Sequence, residues 1–389
     1  MDAAIDAGAS QFELTEDQRA IQEMAGAFAA DRVAPKALEW DRTKHFPRDI
    51  ISEAGPLGFG GIYVRDDVGG SGLGRLDAVL VFEALSKACP AFASFISIHN
   101  MGAWMIDTFG NDEQRRRFLP KLTSMDWLAG YCLTEPGSGS DAAALKTRAV
   151  RSGDEYVLNG TKQFISGAGA NDVYVAMVRT GDDGPKGIST IVVPKDAPGL
   201  SFGANEYKMG WNMQPTRQVI FEDCRVPAGN LLSGEGAGFR IAMAGLDGGR
   251  LNIAACSLGG AQSAFDKALG YAGERKAFGK TIDQFQALQF RLADMETQLQ
   301  ASRMLLYTAA AKLDRKTPDA SKWSAMAKRF VTDTCFEVAN DALQLHGGYG
   351  YLHEYGIEKL VRDLRVHQIL EGTNEIMRVI IARHLVGRA

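Results

Sequence analysis

Apolar side chains recur along this chain in rhythms that change twice. From Thr15 the spacing is helical: Ile21, Met24, Ala25 and Phe28 share one face, and Thr15-Glu16-Asp17-Gln18 offers a capping box with acids suited to the helix dipole. That helix is predicted to end before Pro35. Helical patterns return at 77–87 and 112–123, broken by joints such as Gly69-Gly70-Ser71-Gly72, so residues 1–126 read as an α-helical domain. Near Trp127 the rhythm shortens. Tyr156-Val157-Leu158 and Gln163-Phe164-Ile165 flank Asn159-Gly160, a strong hairpin signal. β-rich runs follow at 173–178, 188–193 and 218–221. Residues 127–232 therefore read as a β domain, a sandwich or barrel rather than a βαβ sheet. From Gly236 helices resume. Leu288, Leu292, Met295, Leu299, Ser302 and Leu306 step by three and four, and so do Trp323, Ala327, Val331, Cys335, Val338, Ala342 and Leu345. Residues 233–389 are predicted to form a four-helix bundle, and the whole an α+β multidomain protein.

Composition narrows the field. A chain of 389 residues can bury a large core over two or three domains. A net charge of −4 gives no electrostatic reason to expect nucleic acid or an anionic membrane as partner. Cys89, Cys132, Cys224, Cys256 and Cys335 are scattered without a CxxC pair, which suits reduced thiols rather than a disulfide framework or zinc site. The histidines are dispersed too, and no metal is expected. The first ten residues lack a signal-peptide or Arg-rich amphipathic pattern. No apolar run reaches the roughly 18 residues of a spanning helix. No membrane insertion and a cytoplasmic location are the expectations.

Several stretches carry chemistry. Glu371 stands directly before Gly372-Thr373-Asn374, with a helical pattern from 374 to 381, so a carboxylate sits at a loop-to-helix junction where glycine permits close approach. Taken alone, such a string serves equally well as a helix cap beside an exposed acid. In Tyr131-Cys132-Leu133-Thr134-Glu135-Pro136-Gly137-Ser138-Gly139-Ser140-Asp141, a strand gives way to a stiffened turn whose glycines let backbone N–H groups converge on an anion. Phe164-Ile165-Ser166 places an aromatic beside a hydroxyl on a strand. Arg275-Lys276-Ala277-Phe278-Gly279-Lys280, with Gln286 beyond, offers a guanidinium suited to a diphosphate. Gln344-Leu345-His346-Gly347-Gly348 closes a bundle helix, and Leu246-Asp247-Gly248-Gly249-Arg250 is expected to open one.

Together these strings, spread over nearly the whole chain, resemble the acyl-CoA dehydrogenases. The resemblance implies a helix–sheet–helix fold and α,β-dehydrogenation of an acyl-CoA thioester with FAD as cofactor and Glu371 as catalytic base. It assigns Tyr131, Leu133, Thr134, Gly139 and Ser140 to the flavin loop, with Ser140 also touching the thioester ligand. Phe164 stands where Trp is common and keeps an aromatic wall; Ile165 follows it, and Ser166 keeps a hydroxyl where Thr is common. Arg275, Phe278 and Gln286 match the segment for the FAD pyrophosphate and adenosine end. Gln344, Gly347 and Gly348 match a stretch that reaches the adenosine across a subunit boundary, and Thr373 and Glu375 also fall on cofactor positions. Asp247, Arg250 and Arg383 match positions along the CoA. Some relatives carry the base just before the Arg250 position; here that residue is Gly249, which leaves Glu371. The strings at 208–217, 219–224 and 247–254 resemble members acting on short branched chains, with Asp247 where Asn is more usual. A homotetramer and reoxidation by an electron-transfer flavoprotein are further expectations, with a flavin oxidase of the same fold as the alternative.

Overall fold

The structure is a computed structural model that describes residues 13–387; the reading of the first ten residues lies outside them. The capping box forms as expected. Thr15 Oγ1 accepts the Gln18 N–H at 3.2 Å and Gln18 Oε1 accepts the Thr15 N–H at 3.1 Å, opening α1 (Glu16–Phe28). The coil widens over Ala29–Val33 and stops before Pro35. Four short to medium helices follow: α2 (Ala37–Thr43), α3 (Arg48–Glu53), α4 (Arg75–Ala88) and, after α5 (Pro90–Phe109), α6 (Asp112–Thr123). α5 is apolar on nearly every side and runs through the interior. Its His99 ties it to what comes next. Nε2 lies 3.0 Å from the Gly60 and Leu122 carbonyls, while Nδ1 accepts the Ala129 N–H at 3.0 Å. Burial holds this imidazole down at about 4, so it is neutral, with its proton on Nε2.

The middle of the chain is one curled sheet: β1 (Ala129–Cys132), β2 (Arg148–Ser152), β3 (Glu155–Ser166), β4 (Val173–Arg179), β5 (Ile188–Pro194), β6 (Leu200–Phe202) and β7 (Thr216–Pro227). The strand β4 is its buried axis. β5 runs along one edge of it, while β1 pairs in parallel with Val173–Ala176 on the other and Arg148 of β2 continues that edge at Arg179. Asn159-Gly160 does not turn the chain, contrary to the hairpin reading. The hairpin is made at Gly153-Asp154, where Ser152 pairs with Glu155, and β3 runs unbroken through Gly160. Gly160 marks a bulge against β7. Its φ is +145°, and a Cβ there would stand 2.5 Å from Thr147 Oγ1. Asn159 Oδ1 fills the bulge by accepting the Asp223 N–H at 2.8 Å. Long pairing with β7 overrode the local turn chemistry, so Phe164-Ile165-Ser166 lies on the same strand as Tyr156.

After the sheet come α7 (Gly238–Glu274), a short ribbon of β8 (Lys276–Ala277) and β9 (Lys280–Thr281), then α8 (Gln286–Asp314), α9 (Ala320–His346), α10 (Ile357–Arg365) and α11 (Asn374–Leu385). The stretch Leu246 to Arg250 lies inside α7 rather than at its start, a second departure from expectation. α7 packs against α8 and α9 on one side and against α4 and α5 on the other, so Leu251 and Leu258 share a core with Phe82, Phe92, Leu299 and Val331. A middle-domain loop docks on this block through Trp211, whose backbone N–H donates to Asp363 Oδ1 at 2.6 Å. Among the described residues no helix is long and apolar enough to cross a membrane.

Candidate active site

Glu371 lies on the turn between a short 3-10 segment, Val366–Gln368, and α11. Thr373 caps that helix by accepting the Ile376 N–H at 3.4 Å. The turn is left-handed at two successive residues, φ +56° at Glu371 and +89° at Gly372. Such a backbone is costly for a glutamate and persists only when its surroundings hold it. Two cations do so. Arg250 Nε on α7 donates to the Glu371 carbonyl at 3.3 Å, and Lys328 Nζ on α9 donates to the Gly372 carbonyl at 2.8 Å. His367, four residues earlier, is buried and pinned between Trp211 Nε1 at 3.2 Å and Ser257 Oγ at 2.7 Å. Burial pushes this imidazole down to about 3, so it is a neutral strut.

The carboxyl itself points inward. Its Oε2 is buried without a hydrogen-bond partner, and a Cβ added to Gly249 would collide with it. Burial pushes Glu371 up to about 7, against the pull of Arg250 and Lys328. A carboxylate in this state, with one free oxygen and a proton affinity matched to neutral pH, can abstract a proton from a carbon acid beside it. Tyr131 and Tyr63 border the same space. Each phenol is raised chiefly by burial and also by the Glu371 charge, and Tyr131 OH is a second buried polar atom without a partner.

β1 leads from this space into the loop at Leu133 to Ser140. Thr134 O accepts the Gln163 N–H at 2.8 Å, and Glu135 and Ser138 exchange backbone hydrogen bonds around Pro136-Gly137. Beneath the turn lies a buried ion pair. Lys162 Nζ is 2.7 Å from Glu135 Oε1 and 3.1 Å from the Leu133 carbonyl. Glu135 in turn accepts the Lys146 and Thr147 N–H groups at 2.6 and 2.9 Å. The loop is thus braced from below, while Gly137, Gly139 and Ser140 are exposed above, and a Cβ at either glycine would touch nothing. Phe164 stands beside it with φ +58°, at a shift in the β3–β7 register, and shows 63% of its surface. Its neighbour Ile165 is buried and Ser166 is half-buried. An exposed aromatic on a strained residue, an open loop of small residues and an orphaned phenol fit a flat, polar-edged ring such as the flavin of FAD.

The remaining candidate residues fall elsewhere. Arg275, Gly347 and Gly348 line an open groove of about 430 Å³ with Tyr271, His346 and Tyr349, the Arg275 guanidinium lying 5.4 Å from the Tyr349 ring centre. Phe278 projects from the β8–β9 ribbon with 95% of its surface exposed, and Gln286 and Gln344 are exposed on α8 and α9. No hydrogen bond or ion pair among the described residues joins this group to the loop at Thr134. Asp247 pairs with Arg250 at 2.6 Å and accepts Ser321 Oγ at 3.0 Å. Glu375 and Arg383 are exposed on α11.

Sequence reading missed two buried lysines at this site, Lys162 and Lys328. Alternation along β3 puts Lys162 on the face of Tyr156 and Leu158, and Lys328 follows Ala327 at the edge of the buried stripe of α9. A charge on a buried face was the available signal in both cases.

Three family models match in succession: acyl-CoA dehydrogenase N-terminal domain over residues 15–126, middle domain over 130–224 and C-terminal domain over 236–386. A protein of Dictyostelium discoideum, "Isobutyryl-CoA dehydrogenase, mitochondrial", is 58% identical over 96% of this chain and 90% of its own length. The structure of butyryl-CoA dehydrogenase from Megasphaera elsdenii superposes with TM-score 0.94 at 37% identity, over 97% of this chain and 100% of that one. A chain from a structure described as "Electron transferring flavoprotein of Acidaminococcus fermentans" superposes with TM-score 0.95 at 42% identity, with 97% and 100% coverage.

Proposed function

The chain belongs to the acyl-CoA dehydrogenase family, and we propose that it desaturates a short, methyl-branched acyl-CoA, isobutyryl-CoA foremost, with Glu371 as the base. The observation that carries this reading is the carboxyl of Glu371, buried, free at Oε2 and titrating at about 7. FAD supplies the electron sink for the hydride equivalent lost at the β carbon. The protein's own work is at the α carbon. Glu371 takes the α proton, and in this reading its backbone N–H donates to the charge growing on the thioester oxygen. Arg250 and Lys328 keep the turn from relaxing as the carboxyl becomes neutral.

In the same reading Thr134, Ser166 and the exposed Phe164 ring hold the flavin, with Tyr131, Leu133, Gly139 and Ile165 shaping its bed. Ser140, Asp247, Arg250 and Arg383 serve the acyl-CoA. Arg275, Phe278, Gln286, Gln344, Gly347 and Gly348 hold the adenosine half of FAD within a homotetramer, and Thr373 and Glu375 lie at the cofactor's edge. The identity with the Dictyostelium protein supports the branched substrate. The likeness to a chain from an electron-transferring flavoprotein study supports such a protein as electron acceptor. Domain limits at 126/127 and 232/233 complete the reading. All five cysteines are free and buried, which suits a reducing compartment, and we place the protein in the cytoplasm; the designation "mitochondrial" of the relative makes cell fractionation the check. The function is tested by anaerobic titration of the FAD-loaded protein with a panel of acyl-CoAs. Isobutyryl-CoA should bleach the flavin fastest, followed by butyryl-CoA. Failure of every thioester to bleach it would overturn the reading, and octanoyl-CoA as best substrate would overturn the chain-length assignment.

A further inference from the structure

Lys328 is buried completely within α9, yet none of the described carboxylates lies within ion-pair distance of it. Its ammonium donates to two neutral oxygens, the Gly372 carbonyl and Asn374 Oδ1, each at 2.8 Å. Asn374 is itself fixed, donating to Thr332 Oγ1 at 2.9 Å and Asp333 Oδ1 at 2.6 Å. On the opposite side of the turn Arg250 holds the preceding carbonyl, that of Glu371. Two cations from two bundle helices therefore grip consecutive carbonyls of the left-handed pair. Arg250 also pairs with Asp247 at 2.6 Å, and both cations act on Glu371, Arg250 the more strongly; Lys328 has no such carboxylate partner.

We infer that Lys328 is a positioning residue for the reaction: it fixes the Glu371–Gly372 turn through the Gly372 carbonyl and holds a buried positive charge against the turn that carries the Glu371 carboxyl. The inference deepens the proposed function and rests on it. The charged and titratable groups facing this pair are Arg250, Asp247 and the Cys256 thiol on α7, Asp333 on α9, Glu375 on α11, the neutral His367 and the phenols of Tyr63 and Tyr131. Burial lowers Lys328 to about 7, with Glu371 opposing that shift, and burial raises Glu371 to the same region. The competent form pairs an ionised Glu371 with a charged Lys328. It is lost below neutrality as Glu371 protonates and above it as Lys328 deprotonates, the two groups titrating as a coupled pair. Removing the ammonium removes an influence that lowers the Glu371 pKa, so the acid limb moves to higher pH and the alkaline limb flattens.

The test isolates proton abstraction. An acyl-CoA analogue with sulfur at the β position has no β hydrogen to transfer, so exchange of its α protons in D2O, followed by NMR on the FAD-loaded protein, reports the base alone. Lys328→Met should raise the acid midpoint by about one unit, roughly tenfold in proton affinity, and lower the maximal exchange rate ~10- to 100-fold. Lys328→Gln, which can still donate to the Gly372 carbonyl without charge, should show the same shift while keeping more of the rate. A midpoint unmoved in both variants overturns the inference, and so does failure of both to fold, which would make Lys328 a fold-holding cation only. If the unaltered protein exchanges no α protons of any short acyl-CoA analogue, the proposed function fails instead.

Discussion

The chemistry proposed for this chain rests on a single glutamate in an unfavourable backbone state. A left-handed glutamate costs roughly 1–2 kcal/mol, and the turn is held by the Arg250 and Lys328 contacts on successive carbonyls. The acid was legible in the sequence because it precedes Gly-Thr-Asn at a helix start. Its strain and burial were not, because both come from residues more than forty positions away. Glu371→Gln should leave fold and FAD content intact and slow anaerobic flavin reduction by about 10²–10⁴; near-normal bleaching would remove Glu371 from the mechanism. For the unaltered protein the acid limb of the reduction rate should lie near pH 7, since burial raises this carboxyl and only its ionised form accepts a proton, before loss of the Lys328 charge bends the profile down at higher pH. Stopped-flow reduction across pH checks this; a limb near pH 4.5, the ordinary glutamate range, would contradict it. The neighbouring backbone position offers a stricter test. A Cβ at Gly249 would fall on Glu371 Oε2, so a side chain from that helix starts where the carboxylate now ends. Glu371→Gly should abolish activity, and adding Gly249→Glu should recover part of it. Recovery stays partial because slight misplacement of a catalytic group can cost ~10²-fold. A folded, flavin-loaded double variant no faster than Glu371→Gly would show the positions are not equivalent.

Elements were legible wherever one face is wet. α1 with its capping box, α6, β4, β5 and the long α8 and α9 all stand close to their predicted places. α5 and the middle of α7 gave no clear period because both are buried nearly all round, so no polar face marks the turn of the helix. β3 misled for another reason: Asn159-Gly160 has the chemistry of a turn and is used for a bulge. That strand also carries the brace of the loop proposed for the flavin, the Lys162–Glu135 pair, which burial makes sensitive to loss of either partner. Lys162→Met leaves a carboxylate uncompensated and should cost ~3–5 kcal/mol. FAD retained after gel filtration should fall with it. Lys162→Met with Glu135→Leu should recover much of the stability, measured by denaturant unfolding, but not the FAD, because the Leu133 carbonyl and the Lys146 and Thr147 N–H groups stay without their partners. Equal recovery of both would show that the pair does not shape the loop.

At the scale of the molecule the sequence names candidate cofactor residues and is silent about where they meet. The residues proposed for the flavin lie around Thr134, while Arg275, Gly347 and Gly348 line a separate open groove. Around that groove the surface is apolar beyond what a lone subunit needs: Phe278 shows 95% of its area, Tyr351 84% and Leu352 45%. One FAD served by both groups is therefore best explained by an assembly in which the groove of one subunit completes the site of another. The interface and the cofactor are then linked, and each should report on the other. Arg275→Ala removes the guanidinium proposed to hold the diphosphate and should lower FAD occupancy; because FAD bound only by the assembled form stabilises it by mass action, the variant should also melt earlier. Adding free FAD at about 100 times its Kd should restore roughly 2.7 kcal/mol of that stability. Phe278→Asp attacks the same linkage from the protein side, placing a charge on the exposed apolar tip. It should shift the particle mass below that of a tetramer and lose FAD in the same step, while far-UV circular dichroism stays unchanged. Light scattering and flavin absorbance on one gel-filtration run measure both quantities together. An unaltered protein that runs as a monomer with full, tightly held FAD would break the argument, since one chain would then hold both ends of the cofactor.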